Sequence, residues 1–281
     1  MIYFLSDAHL GSRVIADPNA HQQRLVRLLN RMAQDAEAIF LLGDMFDFWY
    51  EYWWDRHQWA DFGGRWHLTG NKQQFVPFLQ TLKRLTEKGI AVHFFIGNHD
   101  IWTFGDLERN TGVQVHRQPQ VYSLQGRQMF LAHGDGIVPS YFMQVLPPPI
   151  RKKIRRFMRL RAFFHHPLPQ FLFRLLPPYL GDAFGYEWAR RSRLKELQRP
   201  CPYKGDNQEE LVLWANEHPE YDCCIFGHRH IVLHRPFQQP DGIKQTEKIP
   251  EVIILGDFFK QFTYAAMNEG KIEILKDNQN V

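Results

Sequence analysis

Five short polar clusters, each directly behind an apolar run, carry the side chains of this sequence that could do chemistry. Asp7-Ala8-His9 follows Ile2–Leu5, Gly43-Asp44 follows Ala38–Leu42, and Gly97-Asn98-His99-Asp100 follows Ala91–Ile96. His133-Gly134-Asp135 follows Met129–Ala132, and Gly227-His228-Arg229-His230 follows Cys223–Phe226. The residue types are Asp, His and Asn, with no Cys. Carboxylate, imidazole and amide oxygen suit divalent ions such as Mn2+, Fe2+, Zn2+ or Ni2+, and not a thiolate site. Seven such ligands are too many for one ion and suit two, and ions roughly 3.5–4 Å apart need a shared anionic ligand between them. In Gly227-His228-Arg229-His230 the i, i+2 spacing puts both imidazoles on one side of an extended chain. Taken singly, an Asp-x-His pair arises readily by chance and a Gly-Asp behind a strand is ordinarily a turn. All five in series, each behind an apolar run, point to a two-metal site. Such a site lowers the pKa of a bound water to about 7 and neutralises charge on phosphoryl oxygens. Nothing in the sequence suggests a covalent nucleophile.

The elements that must position these clusters are legible as hydrophobic patterns. The five runs and Val252–Leu255 are four to six residues long, rich in Ile, Val and Phe, and lack strict alternation, as central strands covered on both faces do. Helical spacing lies between them. His21–Ala33 puts Leu25, Leu28, Leu29 and Met32 on one face, Gln73–Lys88 does so with Phe75, Phe78, Leu79, Leu82 and Leu85, and Gln208–His218 offers Leu211, Leu213 and Trp214. Strands alternating with helices predict an α/β layered fold, in which strand carboxyl ends converge on one crevice. Phe262–Met267 and Lys271–Leu275 around Asn268-Glu269-Gly270 predict a closing hairpin. There is no internal repeat and no low-complexity segment.

Residues 138–200 break this rhythm. Pro147-Pro148-Pro149, Pro167, Pro169, Pro177 and Pro178 divide the segment into short pieces. Ile150–Phe164 reads as an amphipathic helix with Ile150, Ile154, Phe157 and Phe164 on one side, and Leu168–Leu180 is almost entirely apolar. The segment holds thirteen Arg and Lys against three acids, a net +10, which leaves −6 for the rest of a chain whose total is +4. The expectation is one domain over residues 1–281 with 138–200 as a helical cap inserted in it. Its basic run Arg151–Arg161, flanked by aromatic and aliphatic residues, fits an anionic membrane surface better than nucleic acid; a solvated helix face is the plain alternative. No nucleic-acid partner and no obligate protein partner are expected.

The chain is 281 residues long and 44% hydrophobic, enough for a sizeable core, which excludes disorder for its bulk. Three cysteines, two of them the adjacent Cys223 and Cys224, exclude a disulfide framework and fit a reducing compartment. No apolar run reaches the roughly 18–20 residues of a membrane span. A cleavable leader would remove Asp7 and His9, so a cytoplasmic location is expected, peripheral to the inner face of a bacterial inner membrane.

With all five clusters between Asp7 and His230, the sequence resembles the calcineurin-like metallophosphoesterase superfamily. The resemblance implies a four-layer sandwich of two mixed β-sheets flanked by helices. It implies that Asp7, His9 and His230 hold one metal, that Asp44 bridges, and that Asn98, His133 and His228 hold the second. His99 would sit by the scissile phosphate as proton donor or electrostatic stabiliser, oriented by Asp100. Within the superfamily the sequence is most similar to bacterial UDP-2,3-diacylglucosamine diphosphatases. Leu41-Leu42-Gly43-Asp44-Met45-Phe46-Asp47-Phe48-Trp49, the insertion after His133-Gly134-Asp135, and Leu255-Gly256-Asp257-Phe258 with Phe262-Thr263-Tyr264 carry this likeness. It implies a Mn2+-dependent hydrolase of a nucleotide-linked glycolipid, cutting its pyrophosphate to give UMP and lipid X. One departure stands out: the best-known members carry Arg where this chain has His99, which leaves another diphosphate or a monoester open. Arg190, Arg191, Ser192 and Lys195, behind Trp188 on a helix returning from the cap, are candidates for pyrophosphate or uridine contacts. The aromatic run from Phe46 to Trp54 could floor an acyl slot, be ordinary core or form a membrane-facing patch. Other metallophosphoesterases (a nucleotide phosphodiesterase, a nuclease, a protein phosphatase) and a non-catalytic metal-binding scaffold are the alternatives.

Overall fold

The computed structural model describes residues 1–55, 57–198, 203, 205, 206, 208–236 and 250–278. In chain order the elements are β1 (Ile2–Leu5), α1 (Pro18–Met32), β2 (Ala38–Leu42), α2 (Val76–Glu87), β3 (Ala91–Phe95), α3 (Asp106–Thr111), β4 (Gln114–His116), β5 (Gln120–Leu124) and β6 (Arg127–Ala132). There follow α4 (Ser140–Val145), α5 (Pro148–His165), α6 (Pro167–Arg174), α7 (Pro178–Gln198), α8 (Glu210–Asn216), β7 (Cys223–Phe226), β8 (Val232–Pro236), β9 (Glu251–Leu255), β10 (Thr263–Asn268) and β11 (Lys271–Lys276).

The strands form two mixed sheets, ordered β11-β10-β1-β2-β3-β4 and β5-β6-β7-β9-β8. β1 to β4 are mutually parallel, as are β6, β7 and β9, while β10, β11, β5 and β8 join antiparallel. Successive side chains of a strand face opposite ways, so each central strand feeds two cores. Phe4, Phe40, Leu42 and Phe95 meet Met129, Leu131, Ile225, Ile253 and Leu255 between the sheets. Leu5, Ile39, Leu41, Val92 and Phe94 pack outward on Leu25, Leu29, Phe78 and Leu82 of α1 and α2. Phe130, Phe226, Val252 and Ile254 pack outward on Leu211, Val212 and Ala215 of α8. This helix–sheet–sheet–helix sandwich is the expected architecture of two mixed sheets flanked by helices; the five clusters come from both sheets, so their crevice lies across the end of the sandwich.

Local boundaries follow turn chemistry. α1 starts at Asp17, whose carboxylate accepts the Ala20 N–H at 2.9 Å, with Pro18 behind it. The single helix expected over Gln73–Lys88 is instead a tight 3-10 turn over Gly70–Phe75 followed by α2, because Pro77 lacks the N–H that would continue an α-helical ladder through it.

Residues 140–198 form α4 to α7. None of the α5 side chains is fully buried. Phe164 of α5 and Phe173 of α6 pack on Tyr50, Tyr52, Ile101 and Trp102. Tyr52 Oη donates to Asp182 Oδ1 at 2.6 Å, and Arg161 Nε donates to Asp135 Oδ2 at 2.6 Å. The aromatic run is thereby divided. Phe46 and Trp49 are core, Phe48 and Tyr50 line a cavity, and Trp53 and Trp54 are exposed.

Candidate active site

Each cluster sits where a parallel strand ends, and the backbone there is folded sharply. Asp7, His9, Asp44, His228 and His230 all have positive φ (54°, 45°, 52°, 66° and 50°), a region non-glycine residues rarely adopt. Such strain persists only where surrounding structure holds it, and it concentrates at working sites. Here the holding bonds cross between strands. Asp7 N donates to Gly43 O at 3.1 Å, Gly227 N to His133 O at 2.9 Å, and His228 N to Asp7 Oδ2 at 2.8 Å. Gly43 and Gly97 let the strand ends touch: a Cβ on Gly43 would stand 2.9 Å from Gly97 Cα and 2.6 Å from His133 Nδ1.

The side chains converge in two trios. The ligand atoms of Asp7, His9 and His230 lie within 4.8 Å of one another, and so do those of Asp44, His133 and His228. Asp44 also falls within that distance of His9 and His99, which places it between the trios. Asn98 lies beside them on the wall of the cavity described below. Six of the seven residues singled out from the sequence are thus brought together as two sets of three, with the seventh adjacent.

The electrostatics show which way each group leans. Burial alone would raise Asp7, but the His230 imidazole at 3.0 Å holds it well below the usual carboxylate range. Burial would likewise raise Asp44, and the His133 and His99 imidazoles hold it well below. Burial would lower His133, yet the Asp44 carboxylate 3.3 Å away holds it well above the ordinary value. His228 is pushed down to about 4, by burial first and then by His133. His133 Nδ1 donates to Leu42 O at 2.8 Å, and its buried Nε2 has no hydrogen-bond partner. An imidazole tied back through Nδ1, with Nε2 aimed at the Asp44 carboxylate, becomes a metal ligand once an ion takes the place of its Nε2 proton. Two carboxylates, four imidazoles and an adjacent amide therefore fit a pair of hard or borderline divalent ions.

His99 and Asp100 differ from their expected relation. The Asp100 carboxylate accepts from Gly97 N at 2.5 Å and Met45 N at 3.0 Å, so it braces the loop. Burial, then Asp44, pushes it up to about 7. His99 is oriented instead by the Asp47 carbonyl, to which its Nδ1 donates at 2.7 Å, while its main-chain N–H donates to Asp44 Oδ1 at 2.9 Å.

Of the four cap candidates, Arg190 and Arg191 pair with Glu187 on the helix surface at 2.9 and 2.7 Å. Ser192 lines the cavity. Lys195 lies on α7, and its side chain falls outside the described residues. Sequence reasoning missed Arg193. Its side chain is buried, and its guanidinium reaches Asp47 Oδ1 at 3.3 Å, His9 Nδ1 at 3.1 Å and His99 Nε2 at 2.9 Å. On a helix with three other cations within three residues, no spacing rule separates the one that turns inward.

A cavity of about 410 Å3 opens onto the site. Asn98, His99, Asp135 and His228 line it together with Phe157, Leu160, Phe164, Phe173, Leu176 and Trp188 of the cap.

Comparison with known proteins agrees in scale with this arrangement. The family model described as calcineurin-like phosphoesterase matches residues 1–232. A Porphyromonas gingivalis protein named UDP-2,3-diacylglucosamine hydrolase is 33% identical over 278 residues, covering 94% of this chain and 92% of that protein. Proteins of the same name from Edwardsiella ictaluri and Vibrio cholerae are each 25% identical. The former covers 85% of this chain and 79% of that protein, and the latter 92% and 90%.

Proposed function

The chain belongs to the calcineurin-like phosphoesterase family of metal-using hydrolases, and on that premise we propose that it cleaves the diphosphate of UDP-2,3-diacylglucosamine, releasing UMP and 2,3-diacylglucosamine 1-phosphate. One observation carries the choice of substrate: the same cavity is lined by His99, His228, Asn98 and Asp135 and by many aromatic and aliphatic cap residues. A diphosphate attached to acyl chains needs both ends at once. Each buried CH2 contributes about 0.8 kcal/mol, so an apolar wall of this size discriminates strongly for a lipid. The relatives' printed name supports the same reading.

In this assignment Asp7, His9 and His230 hold one ion, Asn98, His133 and His228 the other, and Asp44 both. Two divalent ions so held, Mn2+ in our reading, supply an activated water and neutralise the phosphoryl oxygens. The protein's own part is to fix these ligands, to seat the diphosphate beside His99, and to keep water from the acyl chains. Asp100 acts by bracing the loop. Ser192 on the cavity wall is the cap candidate best placed for a polar substrate contact; Arg190, Arg191 and Lys195 remain proposed contacts.

Residues 138–200 act as a cap inserted in a single catalytic domain. No described helix is long and apolar enough to cross a membrane. The α5 cations Arg151, Lys152, Arg155, Arg156 and Arg159 share one face. Held against an anionic leaflet they contribute about 1 kcal/mol each, which supports peripheral attachment at the cytoplasmic face. No protein partner is needed for the reaction.

The test gives purified protein and Mn2+ the UDP-linked lipid and compares UMP release with release from generic phosphodiesters and nucleotides. A clear preference for the lipid is expected, together with co-flotation on anionic but not neutral vesicles. Equal or faster cleavage of polynucleotides, falling steeply with salt, would replace this reading with a nuclease.

A further inference from the structure

We propose that Arg193, not a proton from His99, supplies the positive charge that steadies the substrate's diphosphate as its anhydride bond breaks, and that His99 and Asp47 are the positioning residues that hold this guanidinium in place. The inference rests on the diphosphatase reading and deepens it.

The geometry is specific. Arg193 lies on α7, a helix whose neighbouring Arg190 and Arg191 face outward to Glu187. Its own side chain turns inward and is only 5% exposed. Burying a guanidinium is costly unless it is paired, and it cannot shed its charge. Its pairing is with the site: Asp47 Oδ1 at 3.3 Å, His9 Nδ1 at 3.1 Å and His99 Nε2 at 2.9 Å.

His99 Nδ1 already donates to the Asp47 carbonyl at 2.7 Å. A guanidinium can only donate, and the Arg193 guanidinium faces the other ring nitrogen, His99 Nε2, at 2.9 Å. An imidazole held in this way faces the guanidinium and orients it. His9 is accommodated too. His9 Nδ1 also stands 3.5 Å from Asp47 Oδ1, so the carboxylate would take up that ring nitrogen if His9 held an ion.

The chemistry asks for a cation here. Water oxygen adds to phosphorus, the anhydride P–O bond breaks, and its electron pair leaves on the bridging oxygen with the sugar phosphate. One water proton passes to solvent. The departing group is a phosphate monoester whose second pKa is about 6, so it leaves as a stable anion at neutral pH and needs no acid. What it needs is charge compensation, which a fixed guanidinium gives.

The experiment uses the full-length Mn2+-loaded protein with Arg193→Lys, Arg193→Ala and His99→Gln, the last able to accept the guanidinium hydrogen without being an acid. Three quantities are read: kcat and KM for UMP release, bound metal per chain, and affinity for inorganic orthovanadate by calorimetry. Expected are a kcat loss of about 10²–10³-fold in both Arg193 variants with metal content unchanged, the size typical of a removed charge-stabilising donor. KM should move less than about threefold, and orthovanadate should bind more than about tenfold more weakly. Free guanidinium should restore Arg193→Ala while methylammonium does not, and His99→Gln should lose less than about tenfold. If Arg193→Ala fails to fold, Arg193→Lys carries the comparison. Arg193 variants with wild-type kcat and orthovanadate affinity would overturn the proposal, as would a His99→Gln loss equal to theirs. A wild-type protein that releases no UMP ends the substrate reading alone, since the orthovanadate comparison still decides on Arg193.

Discussion

Gly97→Ala adds a single methyl group, and the structure says what it must do. A Cβ at position 97 would stand 2.6 Å from the main-chain N of Asp44 and 2.8 Å from its Cγ, overlapping Oδ1. Ordinary contact begins near 3.4 Å, so the β2 and β3 ends must part by about 0.8 Å. There is no soft neighbour to absorb this, because the obstacle is backbone and a carboxylate that also accepts the His99 main-chain N–H. Overpacking of this kind costs about 1–3 kcal/mol. The catalytic cost is larger, since a misplacement near 1 Å loses about 10²-fold in rate. Expected, then, are a Tm lower by several degrees, weaker Mn2+ binding, and UMP release down about 10²-fold. Calorimetric Mn2+ titration, thermal melts and initial rates on the same preparation measure all three. If Gly97→Ala binds Mn2+ as the wild type does and keeps rates within twofold, Asp44 does not depend on this close approach and the packing argument fails.

Asp44→Asn keeps the shape but removes the shared charge, so turnover should fall at least about 10³-fold with loss of bound metal; chelation should abolish activity in the wild type and Mn2+ restore it. Phe157→Asp puts a charge on a partly exposed cavity wall and should raise KM for the lipid substrate about tenfold or more, while hydrolysis of a small soluble phosphodiester stays within about threefold. His93 has its pKa lowered to about 4, by burial and then by His116. Between that value and its ordinary 6.5 the unfolded chain binds more protons, so this group makes stability fall as pH drops through that window. After allowance for solvent screening the loss is about 2 kcal/mol, and His93→Gln should flatten Tm against pH between pH 6.5 and 4 in chelator-treated protein. An identical slope in the variant would remove His93 from the account.

The six strands seen as apolar runs and the closing hairpin are present, because burial on both faces or a tight turn leaves a strong local signal. β4, β5 and β8 were not visible. They sit at sheet edges, and of their thirteen side chains only that of Leu233 is fully buried, so they carry no apolar run. The metal-type residues were legible for a related reason. The chemistry restricts each position to Asp, Asn or His, and the strand ends mark where such residues can meet.

What the sequence determined by itself is therefore the alternation of strands and helices, the seven metal-type side chains, and a basic, greasy insertion of helices. Only the tertiary structure decided that Asp100 braces the loop while the Asp47 carbonyl orients His99. It also decided that Arg193 turns inward while Arg190 and Arg191 turn outward. The physical reason is range. Apolar periodicity and ligand type act within a few residues, whereas the direction a cation faces on a helix depends on which buried acceptors a distant strand end presents to it.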